Sequence, residues 1–231
     1  MKVQLLNYTR NPEETVAQAA RLCYSNKNIN ELKEATEGES CHRIIKKIVA
    51  LGHYSVLEHA SFTFGIEGIS RVTSHQLVRH RIASFSQQSQ RYVKVGGEQE
   101  YIIPESVKKN KKELFLRFKE LSQACFTFYQ EMLKEGILAE DARYILPQAI
   151  ATSIIFTANA RELIHLFRLR CCNRAQWEIR ELAISMLKLV KEVAPGIFKE
   201  AGPPCLIGPC PEREMTCGKP WKKEKDYLED F

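Results

Sequence analysis

The chain has 231 residues, of which 44% are hydrophobic and 27% charged, and carries a formal net charge of +6. That balance permits one large globular domain or two small ones and excludes a disordered or fibrous chain. There is no run of about 18 apolar residues for a membrane span, and residues 2–8 alternate at once without a signal-peptide core, so a cytoplasmic protein is expected.

In chain order, Lys2–Tyr8 reads as a strand, and Pro12-Glu13-Glu14 opens a helix to about Tyr24 with Asn11 as its cap. Val16, Ala19, Ala20 and Cys23 fall at helical spacing and are expected on its inner side. Residues 27–38 are polar and read as a loop or short helix, and a helix over 40–51 stops at Gly52. Residues 60–67 alternate with period two, as a half-buried strand does. A helix is expected from Ser70 to Ala83, carrying Arg79-His80-Arg81 near its C-terminal end. On it Gln76 and Arg79 share a side, while Arg81 is rotated by about 200° from Arg79.

Gly96-Gly97 and Pro104 mark a loop, followed by a long helix from about Ser106 to Glu135 that ends at Gly136. A short helix over 139–146 ends at Pro147, residues 153–158 read as a strand, and helices follow at 160–170 and 174–193. Asn159 with Glu162 three residues on is close to a capping box. The alternation indicates a mixed α/β (α+β) fold, with one domain over 1–200 and a Cys/Pro-rich tail over 201–231.

The lysine runs 108–112 and 222–225 read as solvated surface. Arg79, Arg81, Arg91, Arg143, Arg161 and Arg170 are different, because they lie in apolar or hydroxyl-rich contexts where a guanidinium usually meets an anion or a planar partner. Eight cysteines in a chain without a secretion signal favour thiols or metal ligation over disulfides. The first five, from Cys23 to Cys172, read as small hydrophobes. Cys205, Cys210 and Cys217 have loose metal-ligand spacing and lack a fourth ligand, so plain thiols are the main expectation, with zinc and a disulfide as alternatives. His53, Glu58 and His59 fit no standard zinc pattern.

Residues 79–92, Arg-His-Arg-Ile-Ala-Ser-Phe-Ser-Gln-Gln-Ser-Gln-Arg-Tyr, are dense in anion-binding donors and suit a cleft for phosphates and a planar base. The run resembles the signature of the flavin-dependent thymidylate synthases, Arg-His-Arg, seven intervening residues, then Ser, here Ser89. Gly52–His59, Arg143–Pro147, Asn159–His165 and Arg168–Arg180 resemble further segments of that family in the same order.

The resemblance implies the family's mixed α/β fold, a homotetramer with active sites shared between subunits, and reductive methylation of dUMP to dTMP. Methylenetetrahydrofolate would supply the carbon, FAD the hydride, and NADPH the reducing equivalents. It further implies that Ser55, Arg79, His80, Arg81, Gln87, Asn159, Ala160, Arg161 and His165 bind FAD. By the same resemblance Gln76, Leu77, Val78, Arg79, Gln87, Gln88, Ser89, Gln90, Arg91, Arg143 and Arg170 border dUMP, and Arg170 is the catalytic group against the pyrimidine. His53 and Glu58 would lie in the folate and flavin region. Ser86 and Gln87 depart from members with Asn and an acidic residue there, which removes a general base from position 87. Two other readings are a basic nucleic-acid-binding protein, which has no recognised binding fold to support it, and a nucleotide-binding flavoprotein without methyl transfer.

Overall fold

The computed structural model describes residues 1–36, 38–93 and 101–222. The expected Gly96-Gly97 loop and the lysines at 223 and 225 lie outside the described residues. Four strands, β1 (Lys2–Tyr8), β2 (Ser61–Ser70), β3 (Ala83–Gln87) and β4 (Ala151–Asn159), form one antiparallel sheet in the order β1-β2-β4-β3. Thr9 N–H donates to the Ser61 carbonyl at one end of the β1–β2 pair, and the Thr63 and Thr157 hydroxyls meet at 3.0 Å between β2 and β4. Both β2 and β4 are longer than the expected strands over 60–67 and 153–158. Their alternation sends Phe62, Phe64, Ile66, Ile154, Phe156 and Ala158 to one buried face.

Two compact units are built from segments of the chain. One comprises Met1–Lys2, Ile66–Arg79 and residues 86–154, and the other Val3–Gly65, His80–Phe85 and the residues from 155 onward.

In the second unit lie the helices α1 (Pro12–Leu22), α2 (Ile29–Glu34), α3 (Glu39–Leu51), α8 (Ala160–Arg170) and α9 (Trp177–Val193). Its core stacks Phe62 against Phe198, and Phe198 against Phe167, in edge-on pairs at 5.3 and 6.0 Å. Asn11 does stand before α1, but it adopts a left-handed φ of 48° and makes no side-chain cap. Its amide donates to the Glu14 carboxylate at 2.9 Å instead. Glu13 turns away to accept the Gly196 and Ile197 N–H groups. Val16, Ala17 and Ala20 form the buried stripe of α1, whereas Cys23, beyond the helix end, is exposed. Among the first five cysteines only Cys41 and Cys171 are fully buried. Gly52 ends α3 at a φ of 70°, a conformation that favours glycine.

The first unit holds α4 (Arg71–Leu77), α5 (Glu105–Lys108), α6 (Lys112–Lys134) and α7 (Ala139–Ala142). Its own cluster joins Phe126, Tyr129 and Ala142 to Tyr101, Met132, Leu133 and Leu146.

Two expected helices are corrected. The helix over 70–83 stops at Leu77, and Ala83–Gln87 is the edge strand β3, because Ser84-Phe85-Ser86-Gln87 alternates and pairs with β4. Arg79, His80 and Arg81 therefore lie in a turn, and helical spacing does not relate Gln76, Arg79 and Arg81. The helix over 106–135 is interrupted at Lys109–Lys111, where the Asn110 side chain accepts the Lys111 N–H at 2.8 Å. Lysines 108–112 are exposed, as expected of a solvated run.

Candidate functional site

In the unit that contains α8, the cap and the site share residues. The Asn159 side chain accepts the Glu162 N–H at 2.9 Å, which starts α8 at Ala160. The Glu162 carboxylate does not close the capping box; it turns to Nδ1 of His80 at 3.1 Å, and both side chains are almost fully buried. On the other side of the ring, Arg170 Nε donates to His80 Nε2 at 3.2 Å. A guanidinium only donates, so Nε2 is an acceptor and Nδ1 carries the proton given to Glu162. Burial pushes the His80 pKa below the ordinary histidine value, the Glu162 hydrogen bond opposes this, and the Arg170 charge adds to it. The imidazole is neutral and has a defined tautomer.

His165, exposed on α8, meets the His80 ring edge-on at 5.9 Å. Arg161 pairs with Glu58, which stands in the 3-10 turn Tyr54–His59 with the exposed Ser55. Ala160 is buried, and its N–H donates to the Ala60 carbonyl at 2.8 Å. His53, Ala20, Arg21, Tyr24, Ile48 and Leu51 line a cavity of about 380 Å³. Arg81 is exposed after the turn.

In the other unit, the end of β3 and the segment after it carry the polar run. Gln87 donates to the Thr152 hydroxyl at 3.4 Å. The Ser89 hydroxyl accepts the N–H groups of Arg91 (3.1 Å) and Tyr92 (3.4 Å), folding the segment into a tight turn. Arg91 lies over the Tyr92 ring and pairs with the Glu140 carboxylate, while Arg143 Nε donates to the Glu140 carbonyl at 3.1 Å. Arg71 donates to the Gln88 carbonyl at 3.0 Å, yet its Nε is buried without a partner among the described residues. Burial, and then the nearby Arg143 charge, lowers the Arg71 pKa. Like-charged guanidiniums this close favour an anion between them. Gln76 is half-buried, Leu77 is buried, and Val78, Arg79 and Gln88 are exposed, with Gln90 half-buried.

The profile of the family described as thymidylate synthase complementing protein matches residues 4–196. The chain belongs to this family. It is 59% identical over 220 residues to a flavin-dependent thymidylate synthase of Geobacter sulfurreducens, covering 95% of this chain and 94% of the relative. A flavin-dependent thymidylate synthase of Clostridium tetani is 49% identical over 99% of this chain and 97% of its own. One of Pyrococcus abyssi is 48% identical over 93% of this chain and 91% of its own.

Cys172, Cys205, Cys210 and Cys217 line one cavity of about 600 Å³ that also reaches His165 and Arg170. Among the described residues no group of three or more His, Cys, Asp or Glu side chains is placed to hold a metal ion. Nor is any helix among them long and apolar enough to cross a membrane.

Three partners escaped the sequence reading of this family member: Glu162, Glu140 and Arg71. Glu162 reads locally as half of a capping box, and its pairing with His80 spans 82 positions. Arg71 follows directly on the Ser70 cap and reads locally as an ordinary residue of a helix start.

Proposed function

We propose that the chain reductively methylates dUMP to dTMP in dTMP biosynthesis, with methylenetetrahydrofolate as carbon donor, FAD as hydride carrier and NADPH as reductant. The reading rests on the family, and the observation that carries it is the grouping of Arg71, Arg91 and Arg143 about the hydroxyl and amide run 86–90. Three guanidiniums beside a tight turn of donors suit a nucleotide phosphate and ribose. Gln76 to Arg79 border the same nucleotide, and Gln87 to Arg91 wrap it.

The groups present also fit FAD. In the unit that contains α8, Arg81 and Arg161 are exposed cations for a pyrophosphate, while the Asn159 amide and the exposed His165 suit a planar polar ring. Ser55 would hold the flavin, His53 and Glu58 would line the folate and flavin region, and the Glu58 pair holds Arg161 in place. Reduced FAD supplies the hydride. Arg170 lies against the pyrimidine and favours ionisation at N3 by opposing the negative charge.

No cysteine nucleophile is needed. Burial pushes the Cys41 thiol up to about 11 and raises Cys171 further, so neither is a thiolate at neutral pH. The enzyme works as a homotetramer with sites shared between subunits. The exposed Leu114, Leu116, Leu121 and Phe128 on α6 suit such self-association.

Arg71→Lys keeps the charge but loses the fork that reaches the Gln88 carbonyl. It is expected to raise KM for dUMP about tenfold with kcat within a few-fold; an unchanged KM removes Arg71 from the nucleotide site. The reading as a whole is tested by the visible spectrum of the purified protein after incubation with FAD. Oxidised-flavin absorption that bleaches with anaerobic NADPH in the presence of dUMP supports it, and a protein that stays colourless contradicts it.

A further inference from the structure

We propose that His80 is a positioning residue for Arg170, held in turn by Glu162, and that its imidazole is not a ligand of the flavin. The proposal rests on the reading of Arg170 as the group against the pyrimidine.

Both ring nitrogens of His80 are occupied. Nδ1 gives its proton to a buried carboxylate at 3.1 Å, and Nε2 takes the Arg170 Nε proton at 3.2 Å. The residue is 4% exposed, which leaves no polar edge for a cofactor. Its neighbours Arg79 and Arg81 are exposed, so the turn points alternate side chains outward and His80 inward.

Arg170 ends α8, with Cys171 as C-cap, and its long side chain has many rotamers. One fixed hydrogen bond at Nε selects among them and leaves the two Nη groups, which have no partner among the described residues, directed at a ligand. Glu162 makes this bond possible by keeping the proton on Nδ1, as a carboxylate does for a metal-bound histidine. It is anchored at the opposite end of the same helix by its N–H to Asn159. The arrangement therefore spans α8 from its first turn to its last. An imidazolium would present a proton to Arg170 at Nε2, so protonation releases the arginine. The charged or titratable groups facing the ring are Glu162, Arg170 and His165, all on α8.

The test compares the FAD-loaded wild type with His80→Leu, His80→Gln, Arg170→Ala and the double variant His80→Leu/Arg170→Ala. His80→Leu is expected to keep full flavin absorption per protein yet lose on the order of 100-fold in kcat, the cost of a misplaced catalytic group. His80→Gln, whose amide oxygen can take the place of Nε2, is expected to recover much of that loss. The double variant should be no slower than Arg170→Ala alone, since the two residues act as one unit. Loss of flavin from His80→Leu, wild-type turnover, or independent losses in the double variant would each overturn the proposal.

If His80→Leu does not fold, Glu162→Gln decides the matter. It keeps an acceptor for Nδ1 but removes the charge that favours the imidazolium, so the acid limb of kcat should move to lower pH. An unmoved limb overturns the proposal. Failure of the wild type to form dTMP would instead sink the functional reading, and Arg170→Ala at wild-type speed would remove the role of Arg170.

Discussion

Arg170→Ala is expected to reduce turnover on the order of 100–1000-fold while FAD remains bound. The guanidinium is half-buried, and a charge aimed at developing negative charge in such a setting acts more strongly than in water. Burial lowers its pKa, but an arginine starts from so high a value that it stays charged at every working pH. The alanine variant leaves His80 buried with an unused Nε2, a stability cost that flavin content and thermal unfolding would reveal separately. Single-turnover kinetics of flavin oxidation with dUMP and folate present measure the effect on chemistry. Wild-type-like turnover would remove Arg170 from the catalytic step.

The largest stability effect is expected at Phe156, at the centre of β4. Its ring is fully buried, stacked on Phe64 at 6.0 Å and on Phe85 at 5.3 Å, so three strands of the sheet meet at one aromatic column. Phe156→Ala removes the ring and leaves a cavity that rigid strands cannot close, costing about 3–5 kcal/mol. Phe156→Leu keeps most of the volume and should cost under about 2 kcal/mol. Urea unfolding at fixed protein concentration checks both. A midpoint for Phe156→Ala close to that of wild type would mean that the column does not support the sheet.

What the sequence disclosed depended on how local the signal was. Pro12, Gly52, Gly136 and the Asn159–Glu162 pair act within a few residues, and the helix limits they mark agree with the structure to within about two residues. The helix placed over 70–83 failed for the opposite reason. After Leu77 the chain turns into the edge strand that begins at Ala83, and pairing with β4, more than sixty positions away, overrode local helical preference. Anion-binding chemistry was legible because arginines among hydroxyls are rare without a ligand. The fixed positions of the side chains were not legible, since Glu162 reaches His80, Glu140 reaches Arg91 and Arg71 reaches the Gln88 carbonyl through the fold. The aromatic column likewise joins residues from separate segments that share nothing but alternation.

The most direct measurement is the fate of the transferred carbon. FAD-loaded protein is incubated with dUMP, NADPH and methylenetetrahydrofolate labelled at its methylene carbon, and the nucleotide product is separated and counted. Label in the methyl group of dTMP, formed only with flavin and reductant both present, is the predicted result. Flavin reduction by NADPH with no label in the nucleotide would contradict the account and leave a flavoprotein that does not methylate.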